Sequence, residues 1–411
     1  MAKKKIFSDP LYGFITVNDD LIYQIIEHPY FQRLRRIKQL GLTDYVYPGA
    51  LHTRFHHAMG AMHLMGNALD SLRSKGHMIS PEEYQAAQIA ILLHDVGHGP
   101  FSHTLEFSLI KSLHHEELSL LLMKSLNEQF KGKLDMAIAI FTNTYHRKFL
   151  HSLVSSQLDI DRLDYLNRDC FFTGVFEGTI GVNRIIEMLS IENDELVVEE
   201  KGIYSIENFL GARRLMYWQV YLHKTAVSAE KMLTLFIKRA KYLVQKGHYV
   251  EGSAALKYFL QNPVRFDILT TQEEVLRHYL ALDDFDIWSA IKSAENHPDK
   301  VLSYLASSLL GRQLFTIKLG PNPSSKEEIS KVKQSIAQQM QVSENEAEFL
   351  IDKGVLSNSA YLMEKQKINI RLKSGAIVEI TKASDLPNIK AMSKIVRKNY
   401  LCWPKSVTLQ D

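Results

Sequence analysis

Residues 86–103 read AAQIAILLHDVGHGPFSH. An apolar helix, 86–93, runs straight into adjacent His94 and Asp95, and Gly97 with Gly99-Pro100 then stops it. Two ligand-capable side chains are thus delivered at a rigid helix end. A neutral imidazole beside a carboxylate suits a divalent cation, and a carboxylate with open coordination positions favours the harder ions. A His-Asp pair by itself is equally compatible with a hydrogen-bonded pair in a core.

Upstream, Arg54-Phe55-His56-His57 opens a second helix, HHAMGAMHLMGNAL, whose Ala58, Gly60 and Ala61 allow close packing beside the first. Downstream, residues 156–169 read SQLDIDRLDYLNRD. On a helix, Asp161, Tyr165 and Asp169 are four apart and share one stripe. A metal ligand, an aromatic hydroxyl and a second carboxylate would then face one space. The alternative is that Asp161, Asp164 and Asp169 lie on a solvated face, paired with Arg162 and Arg168. Many of the 17 histidines fall between residues 52 and 115, a clustering that core packing does not explain.

The 411 residues exceed what one hydrophobic core usually encloses, so a large domain and a smaller one are expected. A composition of 45% hydrophobic and 23% charged residues is that of a globular chain. With 49 basic against 46 acidic residues the net charge is only +3, which argues against a surface built to hold nucleic acid. Cys170 and Cys402 are too few for a disulfide framework and sit in no metal-binding pattern, so a reducing, cytoplasmic setting is expected. The first residues show no secretory signal, and no apolar run reaches membrane-spanning length, so no membrane partner is expected.

Residues 5–17 read as a short hairpin. Segments 28–40, 54–73, 83–95, 115–128, 146–169 and 204–246 carry helical periodicity, interrupted by one hairpin at 195–205. Short helices continue from 250 to 310. Segment 312–319 reads as a strand, KINIRLKSGAIVEITKAS as two strands around Ser374-Gly375, and VRKNYLCW as a last one. The expected fold is mainly α: a helical domain over 1–310 and a small mixed α/β domain over 311–411.

FQRLRRIKQLG, YPGALHTRFHHAMG, HDVGHGPFSH, DIDRLDYLNRDC and YLHK, in this order, resemble the HD-domain phosphohydrolases, in the deoxynucleoside triphosphate triphosphohydrolase branch. The similarity spans roughly residues 5 to 310 and is weaker beyond. It implies an HD helical bundle with one divalent ion per site (Mg, Mn, Fe, Co, Ni or Zn) on His57, His94, Asp95 and Asp161. It places His98, His103 and His115 around the α-phosphate, one of them assisting the leaving group. Glu106 stands where animal members have an aspartate that orients a catalytic histidine. Arg54, Arg162, Arg213 and Lys224 match groups on the phosphates, and Gln39, Leu40, Tyr165, Asp169 and Tyr221 match sugar and base contacts. Tyr217 replaces a histidine on the stripe Arg213, Tyr217, Tyr221. Glu27, Gln32 and Arg35 match positions for a guanine effector, with Glu for Asp. The resemblance further implies a deoxynucleotide substrate, a dGTP-type effector and a homotetramer or dimer.

The chemistry is coherent with such a set. A polyanionic phosphoryl centre repels hydroxide, so a site must activate water, neutralise oxygen charge and protonate the leaving oxygen. Arginine does the second with a planar fork, lysine as a point charge, and a histidine with a pKa near neutrality does the third. An aromatic wall such as Tyr221 could reject a 2′-hydroxyl, although spacing alone favours a core tyrosine. Three readings stay open: a dNTP triphosphohydrolase; a phosphohydrolase on a monophosphate, cyclic nucleotide or alarmone; and a nucleotide-sensing or nucleic-acid-binding protein.

Overall fold

The computed structural model describes residues 4–101, 104–105, 109–110, 115–358, 367–386, 389 and 396–409. His103 and Glu106 lie outside the described residues. The fold is mainly α, with small sheets at its margins. None of the described helices is long and apolar enough to cross a membrane.

The helix Pro81–Leu93 starts at a capping box, where Ser80 accepts from the Glu83 amide and Glu83 accepts from the Ser80 amide, with Pro81 in the first turn. Ala87, Ile89, Ala90, Ile91, Leu92 and Leu93 are all buried, so this helix has no solvent face in its second half and runs through the interior. It packs beside Arg54–Ser74, which in turn packs on Ile160–Thr173. Asp159 caps that third helix by accepting from the Arg162 amide, and Gly174 ends it in the left-handed conformation (φ 73°). Gly60 faces the third helix, not Pro81–Leu93 as expected from its sequence: a Cβ there would lie 2.0 Å from Arg168 Nη2 and 2.2 Å from Asp164 Oδ1. The glycine that meets Pro81–Leu93 is Gly66, whose Cβ would approach Tyr84 and Gln88.

The N-terminal hairpin pairs Lys5–Asp9 with Gly13–Val17 in antiparallel register, Lys5 opposite Val17. Leu189–Glu192, Glu195–Glu199, Asn369–Arg371 and Ile377–Glu379 form one four-stranded sheet in that order, so strands from both sides of residue 310 share a ladder. Thr316–Gly320, Val396–Trp403 and Asp352–Asn358 form a three-stranded antiparallel sheet.

Four expected elements are revised. Segment 28–40 is helical only to Arg36, because Lys38 bridges to Thr53 and the Gln39 amide donates to His52 O; tertiary pairing overrides periodicity. Segment 146–169 breaks between Lys148–Val154 and Ile160–Thr173, where Ser156 and Asp159 side chains compete for backbone amides. The second hairpin spans 189–199, not 195–205: Asn193 and Asp194 both adopt positive φ (50° and 62°) and make the tight turn, while Lys201-Gly202 leads into helix Ile203–Met216. Segment 204–246 is interrupted by a π-turn, Tyr217–Tyr221, before Lys224–Gln245.

Candidate metal centre and substrate site

Three helix ends converge. His57 sits in the first turn of Arg54–Ser74, His94 follows Pro81–Leu93, and Asp161 lies in the first turn of Ile160–Thr173. Asp161 Oδ1 is 3.1 Å from His57 Nε2 and 3.4 Å from His94 Nε2, and the two Nε2 atoms are 3.4 Å apart. Asp95 Oδ1 is 3.4 Å from His94 Nε2, and its Oδ2 is 3.9 Å from His57 Nε2. Each imidazole is oriented from behind: His57 Nδ1 lies 2.7 Å from Asp164 Oδ2, and His94 Nδ1 lies 2.6 Å from Ile91 O. Donation through Nδ1 leaves each Nε2 lone pair aimed at the cluster, as in metal-binding histidines.

The electrostatics fit a cation. Burial alone would push His57 down, yet Asp161 and Asp164 lift it to about 10. Burial likewise works against a charged His94, and Asp95 with Asp161 raises it. Asp161 is held far below the usual carboxylate range by the two imidazoles despite its burial. Two nitrogen lone pairs and a carboxylate pressed together in a dry site accept a divalent ion readily. His57, His94 and Asp161, with Asp95 beside them, could hold it.

Behind His57 runs a buried ionic chain. Asp164 Oδ2 accepts from Arg168 Nε (2.9 Å), Asp164 Oδ1 accepts from Arg168 Nη2 (3.0 Å), and Arg168 Nη1 donates to Asp9 Oδ2 (2.8 Å) on the N-terminal hairpin. Burial would raise Asp164, but Arg168 and His57 hold it down at about 2. The solvated face weighed as the alternative does not form, since Asp164, Asp169 and Arg168 are buried.

Asp95 joins this centre to a second group, Asp95, His98 and His115. His98 Nε2 is 3.5 Å from Asp95 Oδ1, and its ring stacks on His115 at 3.9 Å. Arg54 Nη1 donates to Asp95 Oδ2. Burial first, then Arg54, keeps His98 well below its ordinary pKa, so it is neutral near pH 7. The loop is braced from beneath: Arg33 donates to Val96 O and His98 O, Tyr279 donates to Gly97 O, and Asp284 accepts from the Phe101 amide.

On the other flank, Asp169 Oδ1 pairs with His52 Nε2 (2.7 Å), and Asp169 Oδ2 accepts from Tyr221 Oη (2.8 Å). Tyr165, Tyr217 and Tyr221 meet edge to face. Burial raises Tyr165, against the opposing fields of Arg213 and Arg162. Arg162 pairs with Asp159, and Arg213 donates to Gln157 (3.3 Å). The Nε atoms of Arg162 and Arg213 and Oε1 of Gln39 are buried without a partner among the described residues. Leu40 packs on the core nearby in sequence. Lys224 lines a cavity with Arg312 and Lys405. Glu27, Gln32 and Arg35 sit together: Arg35 Nε donates to Gln32 Oε1 (2.9 Å), its guanidinium lies 3.6 Å from the Phe55 ring centre, and partial burial lowers it against the charge of Glu27.

Residues 54–169 match the HD domain family model, and residues 180–249 match the model of the HD associated region. An uncharacterized protein of Bacillus subtilis is 34% identical over 330 residues, 78% of this chain and 74% of that protein. The crystal structure of a phosphohydrolase from Bacteroides thetaiotaomicron superposes with a TM-score of 0.95 at 48% identity, covering 98% of this chain and 100% of the other. The chain belongs to the HD-domain phosphohydrolase family. Human deoxynucleoside triphosphate triphosphohydrolase SAMHD1 is 28% identical over 305 residues, 63% of this chain but 48% of that protein. As a member of this family the chain is a metal-dependent phosphohydrolase, and the His/Asp cluster is where the metal fits.

Several residues that shape this HD-domain phosphohydrolase site were not singled out from sequence. Asp164 and Arg168 carried a signal, being three and seven positions beyond Asp161 on one helix, but the same spacing describes a surface ion-pair run. His52 stood out only as one of the clustered histidines. Asp9, Arg33, Tyr279 and Asp284 gave no local signal, since their partners lie far along the chain.

Proposed function

We propose that this phosphohydrolase cleaves deoxynucleoside triphosphates to deoxynucleoside and inorganic triphosphate. The observation that carries the reading is a pair of arginines, half-buried Arg162 and buried Arg213, each with a buried Nε that has no acceptor among the described residues, on the helices that also carry Asp161 and lead to Tyr221. Guanidinium groups with spare donors suit a polyphosphate. A divalent cation on His57, His94, Asp95 and Asp161 would lower the pKa of a water and neutralise oxygen charge. Arg54 fixes the Asp95 carboxylate, so that ligand does not swing away. The water oxygen bonds to the α-phosphorus and sheds one proton, the bond from phosphorus to the 5′-oxygen breaks, the departing oxygen takes a proton from His115, with His98 stacked against it, and the proton shed by the water restores the one His115 gave up. Tyr165 and Tyr221, the latter held by Asp169, wall the sugar and disfavour a 2′-hydroxyl. His103 and Glu106 keep the assisting and orienting roles that the family resemblance gives them, and Lys224 that of a phosphate contact.

The test is incubation of the purified protein with each deoxynucleotide and ribonucleotide under Mg, Mn, Co or Zn, with chromatographic identification of products. Deoxynucleoside with intact triphosphate is expected. Stepwise phosphate release, or turnover only of monophosphates, would replace the reading with a different nucleotide phosphohydrolase. Binding without turnover under any metal would make the protein a sensor. The same proposal includes a dGTP-type effector on Glu27, Gln32 and Arg35 that assembles a tetramer.

A further inference from the structure

We propose that Asp9, on the N-terminal hairpin, is a positioning residue for the metal centre, acting through Arg168 and Asp164 on the imidazole of His57. The inference rests on the reading of His57 as a metal ligand.

Every link is direct and dry. Asp9 occupies the last position of strand Lys5–Asp9, and its Oδ1 accepts from the Leu11 and Tyr12 amides, which fixes the carboxylate in the turn. Its Oδ2 accepts from Arg168 Nη1 at 2.8 Å. Arg168 spends its remaining fork on Asp164, and Asp164 Oδ2 meets His57 Nδ1 at 2.7 Å. Arg168, Asp164 and His57 are fully buried and Asp9 nearly so. The Tyr12 ring lies 5.4 Å from the guanidinium carbon and closes the chain on its outer side. Gly60 closes it on the inner side, since no Cβ fits between that helix and the Asp164–Arg168 pair.

Two carboxylates bracket one guanidinium, so when a cation takes the Nε2 lone pair and the His57 ring is neutral, one negative charge stands behind it. Placed behind a metal-ligating histidine, it fixes the tautomer that donates through Nδ1 and strengthens Nε2 as a donor to a cation. Asp9 supplies the excess charge and locks Arg168 so that Asp164 cannot rotate. The hairpin thereby becomes part of the site.

The experiment is titration of the metal-free full chain with Co(II), read by its d–d absorption, for wild type, Asp9→Asn, Asp9→Glu and Arg168→Lys, with circular dichroism of each. Asp9→Asn and Arg168→Lys are expected to fold and to bind Co(II) about ten- to a hundredfold more weakly, with a shifted spectrum. Asp9→Glu is expected to recover part of the affinity. Wild-type affinity and spectrum in either folded variant would overturn the proposal, even if its melting temperature fell, because that pattern describes a merely structural ion pair. If Asp9→Asn does not fold, Arg168→Lys decides alone; if both are unfolded, a selective role toward the metal is rejected. Failure of wild type itself to bind Co(II) would instead overturn the assignment of His57 as a ligand.

Discussion

Gly60 and Gly66 stand in one helix yet make opposite predictions. At Gly60 the added methyl meets Arg168 and Asp164, two groups that hold each other, whereas at Gly66 it meets the far ends of Tyr84 and Gln88 at 3.0 and 3.1 Å, which can move aside. Gly60→Ala is expected to cost about 1–3 kcal/mol by overpacking and to lower metal content. Gly66→Ala should lie within about 1 kcal/mol of wild type, because better helix propensity offsets a small readjustment. Urea unfolding with elemental analysis distinguishes them; equal losses at both positions would contradict the packing described. At the ligands, His94→Ala combined with Asp95→Ala should lower turnover by about a thousandfold or more while the far-ultraviolet circular dichroism stays that of a helical protein. Wild-type turnover in that variant would remove the centre from the chemistry.

Asp284 heads the helix Asp284–Ser293 and ties two loops together, accepting from the Lys38 amide beside Gln39 and from the Phe101 amide beyond the HD motif. Burial lifts it to about 6 from an ordinary value near 3.8, despite those two amides. A carboxyl with a raised folded pKa binds more protons when folded, so its contribution to stability falls as pH rises from about 4 to 6 and is constant above that. Relative to Asp284→Asn, wild type should therefore lose stability across that interval, by at most about 3 kcal/mol. Chemical denaturation of both proteins at pH 4, 5, 6 and 7 measures it; a difference that does not change with pH refutes the shift. The sequence made the helix ends around His57, His94 and Asp161 legible, because apolar periodicity and the Gly-Pro stop are local signals. It did not show that Ile37-Lys38-Gln39 leaves the helix, since the pairing with His52 and Thr53 that straightens it is tertiary. The second hairpin was misplaced because Asn193-Asp194 turns the chain as Asn-Gly would, without the glycine. Asp9 and Arg168 are 159 residues apart, so no window of sequence contains their contact.

For the whole molecule, a cation that binds only the folded centre must stabilise the fold. At a hundredfold excess over its dissociation constant the gain is about 2.7 kcal/mol, so chelation should lower the melting temperature and Mn(II) or Mg(II) should restore it. Scanning calorimetry with and without chelator checks this; no change would mean that the ligands are not preassembled for metal. Assembly is tested by light scattering with and without dGTP: the proposed effector site requires a shift toward the tetramer, and an unchanged monomer rejects it. The sheet shared across residue 310 bears on how the protein can be taken apart. Asn369–Arg371 lies against Glu195–Glu199, the second strand of the hairpin at 189–199. Ending the polypeptide at 310 would strip away this neighbour and leave the backbone of Val198 and Glu199 unmatched, an exposed edge that favours clumping. The tail is therefore no detachable accessory, and shortened versions meant to isolate the catalytic half should be expected to precipitate.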